Sequence, residues 1–361
     1  MTYLKSPSAR VNIRRRQAAV VGMTLAVLGA SVTVPAAATA TTATSLAKAG
    51  PTLAHLARFG SGLGSGSTVG PDGAIYVTDG VSGSVDRVDP RTGAATMFAT
   101  GLPPKVLGIG GAMDVAFLDH RMYVLVTMVG GDIVGGPHIG DATVGIYRLE
   151  DDGRFSVVAD IGSWSVAHPP KPGYFITTGV QYAMIPDHGG FLVTDGHHNR
   201  VLRVTLDGQV SEVVAFDDLV PTGLESQGGT TWVTQAGPVP HLPDTGRVLA
   251  LQSTKPAGKP TTVTTATEVA HGASLLIDVE MGPRHQLYAL SQGQWDGVME
   301  GSPALPNTGR LVRVTPDGAL DPVVDANGNP LVLDRPTSME FTGHTAYIVS
   351  LSGDIYTING L

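Results

Sequence analysis

Gly70-Pro71-Asp72-Gly73-Ala74-Ile75-Tyr76-Val77-Thr78-Asp79, followed by Ser84-Val85-Asp86-Arg87-Val88-Asp89, sets the architecture of this chain. A Pro-Asp-Gly turn runs into β-branched and aromatic residues, and a second polar turn runs into another short alternating run, which reads as turn, strand, turn, strand. The same phrase returns as Pro186-Asp187-His188-Gly189-Gly190-Phe191-Leu192-Val193-Thr194-Asp195, then Asn199-Arg200-Val201-Leu202-Arg203-Val204. Its strand recurs at Tyr123-Val124-Leu125-Val126, Trp232-Val233-Thr234-Gln235, Tyr288-Ala289-Leu290-Ser291 and Tyr347-Ile348-Val349-Ser350, six copies spaced 40–69 residues apart. Four antiparallel strands repeated six times predict an all-β, six-bladed β-propeller. The sixth unit stops after its third strand at Leu361, so the segment Pro51–Gly62 is expected to supply the missing outer strand and close the ring.

Composition agrees. Of 361 residues 47 are Gly, 25 Pro and none Cys, and only 15% are charged. Helix interiors exclude Gly and Pro, so helix-rich folds fit poorly. With 42% apolar residues a sizeable core is available, which excludes wholesale disorder. The absence of Cys removes disulfide scaffolds, thiolate metal sites and cysteine nucleophiles together.

The first 71 residues contain no acid. Lys5, Arg10, Arg14, Arg15 and Arg16 precede an apolar run from Ala18 to Val34, and small residues follow at Pro35-Ala36-Ala37-Ala38-Thr39-Ala40. This is the pattern of a secretory signal peptide, assigned to residues 1–38 with cleavage after Ala38 or Ala40. Residues 39–50 read as a disordered Thr/Ala-rich lead-in, and 51–361 as the propeller. The protein is expected to be secreted, by the general route or, given Arg14-Arg15-Arg16, the twin-arginine route. Loss of the five cations turns the formal net charge of −8 into −13. That acidity speaks against nucleic acid, and no later run is long enough for stable membrane insertion. A monomer is expected.

The loops between second and third strands are uneven. From the strand-two aromatic to the strand-three Arg column the distance is 11 residues in blades one and three, and 25 in blades two and five. Blades two and five oppose each other in a ring of six. One face therefore carries paired insertions around the channel mouth, and a small-molecule or protein ligand is expected there. No G-x-S-x-G, dinucleotide loop or zinc spacing occurs.

Aligning the innermost strands places Gly66, Asp114, Gln181, Gly223, Asp278 and Ser338 in one column facing the channel, with Thr68, Ala116, Ala183, Glu225, Glu280 and Glu340 two residues further on. Such carboxylates either hydrate the channel and bond to backbone or hold a cation such as Ca²⁺, with Asp114, Asp278, Glu225, Glu280 and Glu340 as its oxygen ligands; no cofactor is otherwise expected. The alternating positions, Tyr182 among them, read as blade-on-blade packing. Trp164 and Trp295 lie in inserted segments, where they either stack on a ligand or pin the loops. His138 and His197 map to the same loop-bearing face. The repeating Arg87, Arg148, Arg203 and Arg313 read as structural ion pairs.

Met113-Asp114-Val115-Ala116-Phe117 running into Met122-Tyr123-Val124-Leu125-Val126, Phe155-Ser156-Val157-Val158-Ala159-Asp160-Ile161 and Leu276-Ile277-Asp278-Val279-Glu280-Met281 resemble the ScyD/ScyE family of exported propeller proteins. The resemblance covers roughly Thr52 to Leu361, and its blade motifs are shared with NHL-repeat and gluconolactonase-like propellers. It implies an exported six-bladed propeller without agreed catalytic residues. The reading that follows is a secreted binding scaffold, more binder than enzyme. The alternative is a metal-dependent lactonase or hydrolase of the gluconolactonase-like type.

Overall fold

The computed structural model describes residues 50–60, 64–254, 262–298 and 301–361. The expected signal peptide and the lead-in up to Ala49 lie outside the described residues. Six four-stranded antiparallel sheets form the blades of a propeller. Blade one is built from Gly64–Val69, Ile75–Asp79, Ser84–Val88 and Ala95–Thr100, in that order from the axis outward. The innermost strands of the other five are Gly111–Leu118, Gln181–Asp187, Pro221–Gln227, Leu276–Met281 and Pro336–Thr342. The long loop of blade two carries a small hairpin of its own, Gly130–Asp132 against His138–Asp141.

The ring closes as the sequence predicts. Thr52–Arg58 pairs antiparallel with Asp354–Asn359, Thr52 opposite Asn359 and Arg58 opposite Asp354. Leu53 packs with Ile358 and Leu361, while Ala57 and Phe59 are buried against Ile355 of their own blade and Ile75 and Val77 of the neighbouring one. The second strands are the most deeply packed: every residue of Ile75–Asp79, Gly190–Asp195 and Leu287–Ser291 is buried, as expected of β-branched and aromatic runs covered on both faces.

All six innermost strands shift register at the same place, between Gly64 and Ser67, Ala112 and Asp114, Gln181 and Met184, Pro221 and Leu224, Leu276 and Asp278, and Pro336 and Ser338. A bulge there turns backbone N–H groups away from the ladder, and side chains collect them. The Thr78, Thr194 and Thr234 hydroxyls accept from Gly66, Ala183 and Gly223 respectively. That common bond fixes the true alignment of the axial column. Ala183, not Gln181, is the blade-three member, and Ile185 is the residue two further on. Gln181 is fully buried between blades, accepting from the Thr127 hydroxyl and donating to Thr178 O. It was misplaced because a bulge shifts side-chain parity, which simple alternation cannot register.

Three of the four arginines in the column behave as structural ion pairs: Arg87 pairs with Asp72 at 2.7 Å, Arg148 with Glu150 at 2.7 Å, and Arg203 with Asp187.

Candidate functional site

The channel encloses a cavity of about 430 Å³. Four levels can be followed down its axis. Nearest the loop-bearing face is a vestibule bordered by Gly80, Lys105, Ile109, Gln292, Pro303 and Leu351. Below it Tyr182 reaches from blade three across to blade six, where its hydroxyl donates to Thr337 O at 3.4 Å and its ring packs with the cluster containing Ile277 and Met339. Next come Asp114 and Asp278, and then Glu225, Glu280 and Glu340.

Asp114 and Asp278 hold the ring together. Asp114 accepts from its own neighbour Val115 N at 2.9 Å and from Met184 N in the next blade at 2.7 Å. Asp278 does the same with Val279 N at 2.9 Å and Met339 N at 2.8 Å. Each carboxyl therefore bridges two adjacent blades through charge-assisted bonds. In the preceding blade a glycine makes room. A Cβ on Gly66 would stand 2.2 Å from Asp114 Oδ1 and 2.7 Å from its Cα, and one on Gly223 would stand 2.4 Å from Asp278 Cα. Blades one to three and four to six thus repeat one arrangement, glycine then aspartate then donating backbone N–H, about a pseudo-twofold axis. Burial raises both carboxyls, Asp278 to about 7, against the backbone N–H donors that favour the ionised form.

The three glutamates are different. They stand on adjacent blades four, five and six, enclosed by protein and facing the lumen. Burial pushes Glu280 well up, and repulsion from Glu340, Glu225 and the two aspartates adds to it. Glu340 rises for the same reasons, burial first and then Asp278, Asp114 and Glu225, and burial also raises Glu225; backbone N–H bonds from Val69 to Glu340 and from Ser226 to Glu225 pull the other way. Across the channel at this level stand Thr68, Ala116 and Ile185, so the ring is acidic on one half and largely apolar on the other. Among the described residues no three His, Asp or Glu side chains come close enough to share one metal ion. With Asp114 and Asp278 already taken by backbone N–H groups, the acids do not fit a calcium cage of six to eight oxygens.

The remaining candidates are dispersed. Trp164 sits on a short helix, Ile161–Ala167, stacked on His168 at 4.5 Å with the Arg200 guanidinium 4.9 Å from its ring. Trp295 donates to Ser302 Oγ at 2.9 Å and packs edge-on to His241. Both are held by neighbouring side chains of the protein. His138 is exposed on the blade-two hairpin between Asp132 and Asp141, whose hydrogen bonds raise its pKa. It lines a separate recess of about 410 Å³.

His197 is buried, 6% exposed, where its Nε2 accepts from Ile176 N, while His198 Nε2 donates to Ile176 O. The two rings lie in a turn and grip one residue of the blade-two to blade-three link by both its N–H and its carbonyl. Arg200, 1% exposed, completes this clamp through Asp195 Oδ2, His168 O and Ser165 Oγ. Burial alone would raise the Asp195 carboxyl, but His198 and Arg200 beside it and the Val180 N–H bring it below its ordinary value.

Tyr182 is the site residue that sequence reasoning missed. The aligned positions carry Ser65, Met113, Thr222, Ile277 and Thr337, so a lone aromatic in that column was the available signal.

No family model and no curated protein matches this chain. Solved structures do. A gluconolactonase from Xanthomonas campestris superposes with TM-score 0.55 at 12% identity, covering 88% of this chain and 92% of that one. A virginiamycin B lyase from Staphylococcus aureus gives 0.50 at 13% identity, covering 86% and 100%. A PQQ-bound aldose sugar dehydrogenase from Streptomyces coelicolor gives 0.51 at 15% identity, covering 86% and 98%. At such identities the likeness establishes the fold, a propeller of the gluconolactonase-like kind, and nothing about activity.

Proposed function

We propose that this chain is an exported propeller of the ScyD/ScyE kind that binds a small molecule, taken in from the loop-bearing face and held in the axial channel. The observation that carries the reading is the cavity of about 430 Å³ itself, with carboxyl side chains on one wall and apolar side chains on the other. Enclosed, mostly apolar cavities with a few convergent polar groups are where small ligands bind. Ala183 faces the cavity at the aspartate level and is only half-buried, so Ala183→Phe narrows the channel with little cost to blade packing. Screening the purified chain against acidic, neutral and basic small molecules by thermal shift is expected to find at least one that raises the melting temperature by several degrees. Ala183→Phe is expected to abolish that shift. Binding that persists in Ala183→Phe, or no binder in any class, overturns the reading.

The second reading is a metal-assisted lactonase or hydrolase, suggested by the gluconolactonase among the structures of the same fold. It makes an opposite forecast. If the binding reading holds, Ca²⁺ or a chelator moves the melting temperature by less than about a degree, and purified protein carries no stoichiometric metal by elemental analysis. A shift of several degrees with one bound equivalent would replace the first reading with the second.

A further inference from the structure

We infer that the chamber beneath Tyr182 receives an organic ammonium ion carried on an apolar body. The inference rests on the channel being the ligand site, and it names the ligand's chemistry.

Four features of the cavity point the same way. Glu225, Glu280 and Glu340 share one level, and among the described lining residues the only cation is Lys105, up in the vestibule, where its Nζ donates to Gly108 O. Among the described residues none donates a hydrogen bond to the half-buried Glu280 carboxylate, which lines the cavity. The half-ring opposite offers Ala116 and Ile185 at the same level, with Phe117 and Met113 nearby, which suits a hydrocarbon or aromatic body. Over the chamber lies the ring of Tyr182, and an ammonium group against an aromatic face gains further attraction.

The alternatives lose on the same grounds. An anion would meet three glutamates and two aspartates with no guanidinium to answer them. A bare hard cation needs six or more oxygens around one point, which this spread of acids does not give. An ammonium on a body needs only one or two carboxylates as acceptors, and the body occupies the apolar half.

The inference has a built-in pH dependence. The groups facing a cation in the chamber are Glu225, Glu280, Glu340, Asp114, Asp278 and Tyr182, with Lys105 beyond the tyrosine. A carboxyl that is neutral in the empty chamber must give up its proton to pair with the ammonium. Binding therefore releases protons and tightens as pH rises.

Phenethylamine is the probe, with 2-phenylethanol and 3-phenylpropionate as its neutral and anionic counterparts, in calorimetric titrations of the purified chain. The expected result is binding of the amine alone, with Kd falling at least tenfold between pH 5 and pH 8. Glu280→Gln is expected to weaken it at least tenfold at pH 8, and Glu340→Gln to weaken it less, each with an intact circular dichroism spectrum. Should Glu280→Gln disturb folding, Glu340→Gln and the pH series carry the test. The inference is overturned if the amine fails to bind, if the alcohol binds as tightly, or if the affinity is flat with pH. Capture of the alcohol or the acid in an Ala183→Phe-sensitive manner would overturn the ligand class and leave the channel reading standing. Amine binding indifferent to Ala183→Phe would overturn the channel reading instead.

Discussion

A chain lacking residues 50–60 is expected to lose cooperative unfolding and to sediment as polydisperse aggregates. Those residues supply the outer strand of blade six, with six residue pairs against Asp354–Asn359. Removing them bares the edge Asp354-Ile355-Tyr356-Thr357-Ile358-Asn359, a β-rich template for pairing with another copy. They also bring Phe59, which is 3% exposed, into the seam between blades six and one. Emptying one buried Phe position costs about 3–5 kcal/mol, against a total stability of about 5–15 kcal/mol for an ordinary domain. Phe59→Ala alone is thus expected to lower the melting temperature markedly while leaving the sedimentation profile that of the parent, since the edge stays covered. The two variants separate packing from edge protection in one sedimentation and calorimetry series. A peptide of residues 50–60 added in trans should restore solubility to the truncated chain. If the truncated chain stays soluble and melts within a few degrees of the parent, closure between the termini is not what holds the ring.

That closure was legible because it follows from counting: five complete four-strand units and one of three leave one strand owed, and the apolar residues Leu53, Leu56 and Phe59 were free to supply it. The blades were legible because turn chemistry and period-2 alternation repeat six times, and repetition makes weak local signals add. The axial column was legible in five blades of six. Alternation carried Asp114 and Asp278 to the channel, but it could not show a bulge in every innermost strand, and in blade three the bulge moved Gln181 out of the column and Ala183 in. What each carboxyl does there was not legible at all. Asp278 and Glu280 are two residues apart on one strand and read alike, yet one is bonded to the backbone of the next blade and the other to nothing among the described residues. That difference depends on Met339 N, 61 residues along the chain, and on the missing side chain of Gly223. The surroundings of the inserted tryptophans were not legible for a related reason: Arg200 beside Trp164 and His241 beside Trp295 are brought there by the fold, which no local pattern encodes.

The contrast between the two acids yields the sharpest expectation. A carboxyl whose value in the fold lies above its unfolded value of 3.8 or 4.5 keeps its proton in the folded state over a window where the unfolded chain has released it. The stability it contributes is fully present below about pH 4 and is lost as pH rises through the folded value, because the unfolded state then binds fewer protons than the native one. Asp114, Asp278, Glu280, Glu340 and Glu225 are all raised. Carboxyls held low, such as Asp195 and Asp354, act in the opposite direction and penalise the most acidic conditions. The parent protein is therefore expected to be most stable near pH 5 and to lose melting temperature steadily toward pH 8.

Glu280→Gln removes a proton-dependent cost without removing a bond. It should match the parent at pH 5 and exceed it at pH 8, flattening the profile. Asp278→Ala also removes a raised carboxyl, but it leaves Met339 N–H and Val279 N–H without their acceptor. Each buried donor so orphaned costs about 1–3 kcal/mol, so this variant should melt well below the parent at both pH values, and Asp114→Ala should behave likewise by the pseudo-twofold relation. Thermal unfolding of the four proteins at pH 5, 6, 7 and 8 distinguishes the roles. A Glu280→Gln curve parallel to the parent's would mean that Glu280 carries no shifted proton, and an Asp278→Ala protein as stable as the parent at pH 5 would mean that the bridge between blades five and six is held by other contacts.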